Sequence, residues 1–96
     1  MIYNDERTPE QFPYPYVNNN GNTARSLIDE RLAAKNAVIA ARKALLEMSP
    51  HGRNYQTAPA GAFEAARKRH DAQVDALTEI ADALYREAEF LHGQQV

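Results

Sequence analysis

The sequence contains no cysteine. That excludes disulfides, thiolate metal sites and cysteine nucleophiles together, and it fits a reducing cytoplasm. It also has no apolar run near the roughly 18 residues that a membrane span needs. The opening MIYNDERTPE lacks the basic start and apolar core of a signal peptide. These absences lead to the expectation of a soluble protein acting in a cytoplasm, with no membrane partner. There is no Walker loop, no nucleophile elbow, no HExxH helix, and no carboxylate pair set apart from ordinary helix-surface acids. A net charge of −2 over 96 residues argues against general polyanion binding, although the distribution matters more than the total. A chain this short forms one small domain, and its core is limited unless partner subunits extend it.

What is present falls into an arm and two helical patterns. Residues 1–22 hold Pro9, Pro13 and Pro15, with Phe12, Tyr14 and Tyr16 interleaved, before the polar run Asn18-Asn19-Asn20-Gly21-Asn22. The prolines forbid a regular helix there and favour an extended arm. With Tyr3, the arm carries four of the eight aromatic residues, too many for a purely solvated tail. Two readings follow: the aromatics pack on the protein's own helices, or the arm crosses to a neighbouring subunit or lines a ligand pocket.

Asn22 or Thr23 can cap a first helix, and Pro50 marks where it must have ended, so the helix spans about 23–48. Leu27, Ile28, Leu32, Val38, Ile39, Leu45 and Leu46 recur within it at helical spacing, and Ala33, Ala34, Ala37, Ala40, Ala41 and Ala44 fill in. The resulting apolar face is broader than one partner helix can cover, although alanine is also simply the best helix former. The second helix spans about 61–92, with Gly93 as a stop. It carries a seven-residue repeat: Phe63, His70, Leu77, Leu84 and Leu91 form one row, and Arg67, Val74, Ala81 and Ala88 the other. Ile80, Tyr85 and Phe90 lie off that seam and imply a second contact surface. The fold class is therefore all-α: an antiparallel helical hairpin with an extended N-terminal arm, assembling into a homo-oligomeric helical bundle.

The connection at 49–60 sits within MSPHGRNYQTAPAGAF, and it is longer and more polar than a helix-to-helix turn requires. Arg67 and His70 interrupt the seam at the end adjoining it. Between residues 42 and 70 there are six Lys and Arg, namely Arg42, Lys43, Arg53, Arg67, Lys68 and Arg69, against Glu47 and Glu64. An antiparallel hairpin gathers these with His51 and His70 at one pole, while Asp29, Glu30, Asp82, Glu87 and Glu89 make the other acidic on balance. Gly52 permits close backbone approach, Arg53 offers a planar fork of donors, Asn54 can read an amide-like edge, and Tyr55 offers a stacking face. The start of the second helix adds unpaired N–H groups.

Each of these residues has a plainer account beside it. Arg67, Lys68 and Arg69 can be a solvated helix face pairing with Asp71 and Asp75. His70 on the seam reads better as a satisfied core or interface histidine than as a metal ligand, because no second ligand stands at zinc spacing. His51-Gly52 can be only a turn after Pro50. His51 and His70 could converge as acid and base, but a nucleophile and a formed pocket are both unsupported, so no catalytic residue, metal or cofactor is expected.

The segment Pro50-His51-Gly52-Arg53-Asn54-Tyr55, followed by Ala62-Phe63-Glu64-Ala65-Ala66-Arg67 and His70, resembles a class of small helical proteins of tailed bacteriophages. The likeness covers about residues 24–92. The architecture is loosely similar to phage counter-defence sponges, helical hairpins that assemble into hexamers and sequester cyclic-nucleotide signals. That resemblance implies an accessory binding protein in the host cytoplasm that takes up a small phosphorylated host immune signal. The residues expected to bind it are His51, Arg53, Asn54, Tyr55, Arg67 and His70, with Tyr14 and Tyr16 from the arm. The alternatives are an inhibitor docking on a host defence protein through the acidic pole, or a structural phage protein without a ligand. DNA binding is disfavoured, because the basic pole is short and Asp71 and Asp75 follow it at once.

Overall fold

The computed structural model describes residues 13–18 and 21–94. Tyr3, Pro9, Phe12, Asn19 and Asn20 of the expected arm lie outside the described residues. The element order is α1 (Ala24–Glu47), a 3-10 turn at Gly52–Tyr55 and α2 (Ala62–Gly93). The two helices pair as an antiparallel hairpin, and no strand occurs among the described residues. Among the same residues, no helix is long and apolar enough to cross a membrane.

Helix α1 starts where the sequence offers a cap. Thr23 is extended, and its hydroxyl oxygen accepts from the Ser26 N–H at 3.1 Å. Such a cap stabilises a helix by about 1 kcal/mol. At the other end the Met48 N–H turns back to the Leu45 carbonyl, and the Ser49 hydroxyl donates to the Leu46 carbonyl at 2.7 Å. Pro50 follows, with no N–H to continue the ladder. Helix α2 is entered through Gly61, whose φ of 86° lies in the left-handed region that a side chain disfavours. At 32 residues it is about 48 Å long, roughly a third longer than α1.

The seven-residue repeat is the packing seam. His70, Ala81, Ala88 and Leu91 are buried, and Phe63, Val74, Leu77 and Leu84 are half-buried. Alanines in one row let the helix backbones approach closely, and the large row fills the remaining space. Arg67 departs from the pattern and is exposed: it stands in the first turns of α2, beside the loop, where its charged end stays in water. The core concentrates at the far end, where Ile28, Ala88 and Leu91 touch and Val17, Leu27 and Leu32 pack on them.

Residues 13–17 dock on the end of α2. The Gln94 side chain spans them: its amide donates to the Pro15 carbonyl at 3.1 Å, and its oxygen accepts from the Val17 N–H at 2.7 Å. Tyr14 and Tyr16 lie against Phe90, with ring centroids 5.5 and 5.9 Å away. These tyrosines therefore pack on their own chain, at the pole opposite the loop.

The hairpin leaves much of its apolar surface uncovered. Ile39, Leu46, Ile80 and Tyr85 remain 43–50% exposed. The six alanines between Ala33 and Ala44 are all exposed, so within one chain they act as helix formers rather than core.

Candidate functional site

The connection between the helices is built, not structureless. The Asn54 N–H donates to the His51 carbonyl at 3.0 Å, closing the 3-10 turn, and the Ala58 N–H donates to the Tyr55 carbonyl at 3.1 Å. The half-buried Tyr55 ring leans on Phe63, centroid to centroid 5.6 Å. Gly52 lies beside the same Phe63 ring, in ordinary van der Waals range of where a Cβ would stand. A turn with a local hydrogen-bond set and an aromatic anchor holds its side chains in a fixed relation to α2, as a recognition loop requires.

His51, Arg53 and Asn54 are exposed on this turn. Beside it runs a groove of about 440 Å³ whose walls include Met48, Pro50, Tyr55, Arg69, His70 and Gln73. Of the residues singled out in the sequence, Tyr55 and His70 reach the groove; Arg53, Asn54 and His51 stand at the turn outside it. Arg69 was visible in the sequence only as one of the pole's cations, and it lines the groove directly.

Two expected ligand contacts have partners of their own. The His70 Nε2 lies 2.6 Å from the Leu45 carbonyl. A carbonyl can only accept, so Nε2 carries the proton and ties α2 to the last turn of α1. Leu45 also receives the Met48 N–H, so the ring adds a second bond to an end-of-helix carbonyl. The structural account of His70 as a satisfied interface histidine thus holds for its Nε2. Arg67 lies over the Phe63 ring at 5.7 Å and within 3.4 Å of Glu64. The pairing of the 67–69 cations with Asp71 and Asp75 is not formed: Arg67 turns back to Glu64 instead, the acid one turn earlier.

Among the described residues no carboxylate pairs with Lys43, Arg53, Lys68 or Arg69, and the Nε of Arg42 is buried without a hydrogen-bond partner. The loop pole therefore carries uncompensated positive charge on fixed elements. At the acidic pole part of the charge is answered internally. Asp29 pairs with Arg25 at 3.0 Å, and the half-buried Glu87 pairs with Arg31 at 3.3 Å across the two helices.

Tyr14 and Tyr16 do not join the loop residues within one chain, because the Gln94 clamp holds their segment at the other end of α2. No sequence signal pointed to Gln94 as that clamp, since its partners lie almost the whole chain away. No family model, curated protein or solved structure matches this chain.

Proposed function

We propose that this protein acts stoichiometrically, as a homo-oligomeric binding protein that sequesters a small phosphorylated ligand at its loop pole. The observation that carries the reading is the group of unpaired cations, Arg53, Lys68 and Arg69, on a hydrogen-bonded turn and helix start beside a groove with an aromatic wall. Arg53 and Arg69 take the phosphate oxygens, as guanidinium forks do. Tyr55 offers its ring to a base, and Asn54 and His51 stand at the rim to read polar edges. His70 is a wall of the site rather than a donor to the ligand through Nε2, and Arg67 contributes long-range charge. The resemblance of the HGRN loop to small phage proteins supports a phage setting, and the looser architectural likeness to phage sponges supports a host cyclic-nucleotide signal as the ligand, with counter-defence in the host cytoplasm as the action.

The test is titration calorimetry of the full chain against a panel of cyclic and linear nucleotides, with the Arg53→Ala, Arg69→Ala double variant alongside. Loss of two charge-assisted contacts weakens binding at least about tenfold. Both side chains are exposed, so the melting temperature stays put. A wild-type chain that takes up no member of the panel, or a double variant of undiminished affinity, overturns the proposal.

A further inference from the structure

Each helix carries a second stripe beside the packing seam, and the two stripes share one face of the hairpin. On α1 the stripe is Leu32, Ile39 and Leu46, edged by Arg25, Asp29 and Lys43, of which Arg25 and Asp29 pair with each other and Lys43 is left without an ionic partner among the described residues. On α2 it is Thr78 and Tyr85, edged by Asp71, Asp75, Asp82 and Glu89. Both follow the alternating three- and four-residue steps that keep positions on one side of a helix. Their common face is visible in the structure: Leu32 and Tyr85 line one shallow groove of about 310 Å³, and the Lys35 amino group stands 5.4 Å over the Tyr85 ring. Ile39, Leu46 and Tyr85 are exposed there. None of the four edge acids on α2 has a cationic partner among the described residues.

We infer that this face is covered by a second copy of the chain, related by a two-fold axis running parallel to the helices, so that both loops lie at the same end. Charge selects the occupant and the orientation. The contacts His70–Leu45 and Arg31–Glu87 fix which levels of α1 and α2 stand side by side. A two-fold parallel to the helices preserves those levels and lays α1 of one copy over α2 of the other. Leu32 then meets the partner's Tyr85, and Ile39 meets the partner's Thr78. Arg25 stays paired with Asp29 of its own chain, while Lys43, which has no ionic partner among the described residues of its own chain, comes level with the partner's Asp71 and Asp75. Every such contact occurs twice. The perpendicular two-fold would instead lay α2 on α2, setting four acids against the same four acids, which like-charge repulsion disfavours.

This arrangement also places Arg53, Lys68 and Arg69 of two copies around one end of a four-helix bundle. That consequence rests on the anion-binding reading above, whereas the interface does not. Bringing the cations together opposes association, and a bridging phosphate offsets the repulsion, so ligand and dimer stabilise each other.

Cross-linking tests it, and the absence of native cysteine leaves no background. Full-length Ile39→Cys and Thr78→Cys chains are prepared separately and oxidised with copper phenanthroline, alone and mixed. The expected result is a disulfide-linked dimer in the mixture and little in either chain alone. Cross-linking of Ile39→Cys with itself overturns the orientation. Sedimentation of the unmodified protein as a monomer at about 100 µM overturns the second copy as occupant. Lys43→Asp weakens the dimer about tenfold, and adding Asp71→Lys and Asp75→Lys restores it. No restoration, with helicity intact by circular dichroism, also overturns the proposal. Sedimentation of the Arg53→Ala, Arg69→Ala chain without nucleotide separates the two ideas: both side chains lie away from the two stripes, so the dimer persists when the ligand site alone is lost.

Discussion

The two ends of the hairpin contrast in how their polar groups are used. At the arm pole, Gln94 satisfies one donor and one acceptor of the docked segment, Arg31 answers Glu87 across the helices, and Tyr14 and Tyr16 close over Phe90. Leu91, fully buried, lies beneath. At the loop pole His70 and Arg67 are spent in this way, while Arg53, Lys68 and Arg69 have no ionic partner among the described residues. A polar group already satisfied by its own chain gains little from a ligand. One held in place but unpaired gains the full charge-assisted bond. The contrast shows polar groups spent on stability at one end, and it is the ground for proposing recognition at the other.

The largest blow to that division falls on the arm pole. Leu91→Ala removes a fully buried side chain and costs about 2–5 kcal/mol, much of what a chain of this size has. Thermal unfolding followed by circular dichroism should show a lowered melting temperature or loss of helix. A fully helical variant of unchanged melting temperature would mean that the core lies elsewhere, across a subunit interface.

His70→Ala is intermediate. It deletes the bond to the Leu45 carbonyl and a buried ring, costing about 1–3 kcal/mol. Because Nε2 serves the hairpin, nucleotide affinity measured well below the melting temperature should be nearly unchanged. A steep loss of affinity in a still-folded variant would move His70 from wall to ligand contact.

Gln94→Ala has the smallest effect, about 1 kcal/mol or less, and it is confined to the arm. Amide hydrogen exchange at Val17 should accelerate while the α2 seam stays protected. Gln94→Glu sharpens the point. It keeps the acceptor for Val17 but loses the donor to Pro15 and sets a carboxylate against its carbonyl, so the arm should loosen nearly as much.

Much of the fold was legible because helices announce themselves locally. The heptad rows through Leu77, Leu84 and Leu91 found the seam, Thr23 the first cap, and Pro50 and Gly61 the bounds of the loop. The loop's own order was not legible. The anchoring of Tyr55 on Phe63 depends on a chain reversal that Gly61 permits but does not announce. The candidate site was half legible. The cations of the pole could be counted, but Arg67 and Arg69 are near neighbours on one helix with opposite fates: Arg67 has Glu64 within reach, whereas Arg69 faces the groove.

The sequence by itself determined that there are two helices, where each begins, which rows pair, and that the charge divides between two ends. Those properties follow from hydrogen bonds and side-chain spacings within a few residues. Only the tertiary structure decided that the arm docks through Gln94 at the acidic end, that His70 is held by Leu45, and which cations stay unpaired. Contacts such as that of Val17 with Gln94 join residues 77 positions apart, and no local pattern encodes which distant partner the packed helices will present.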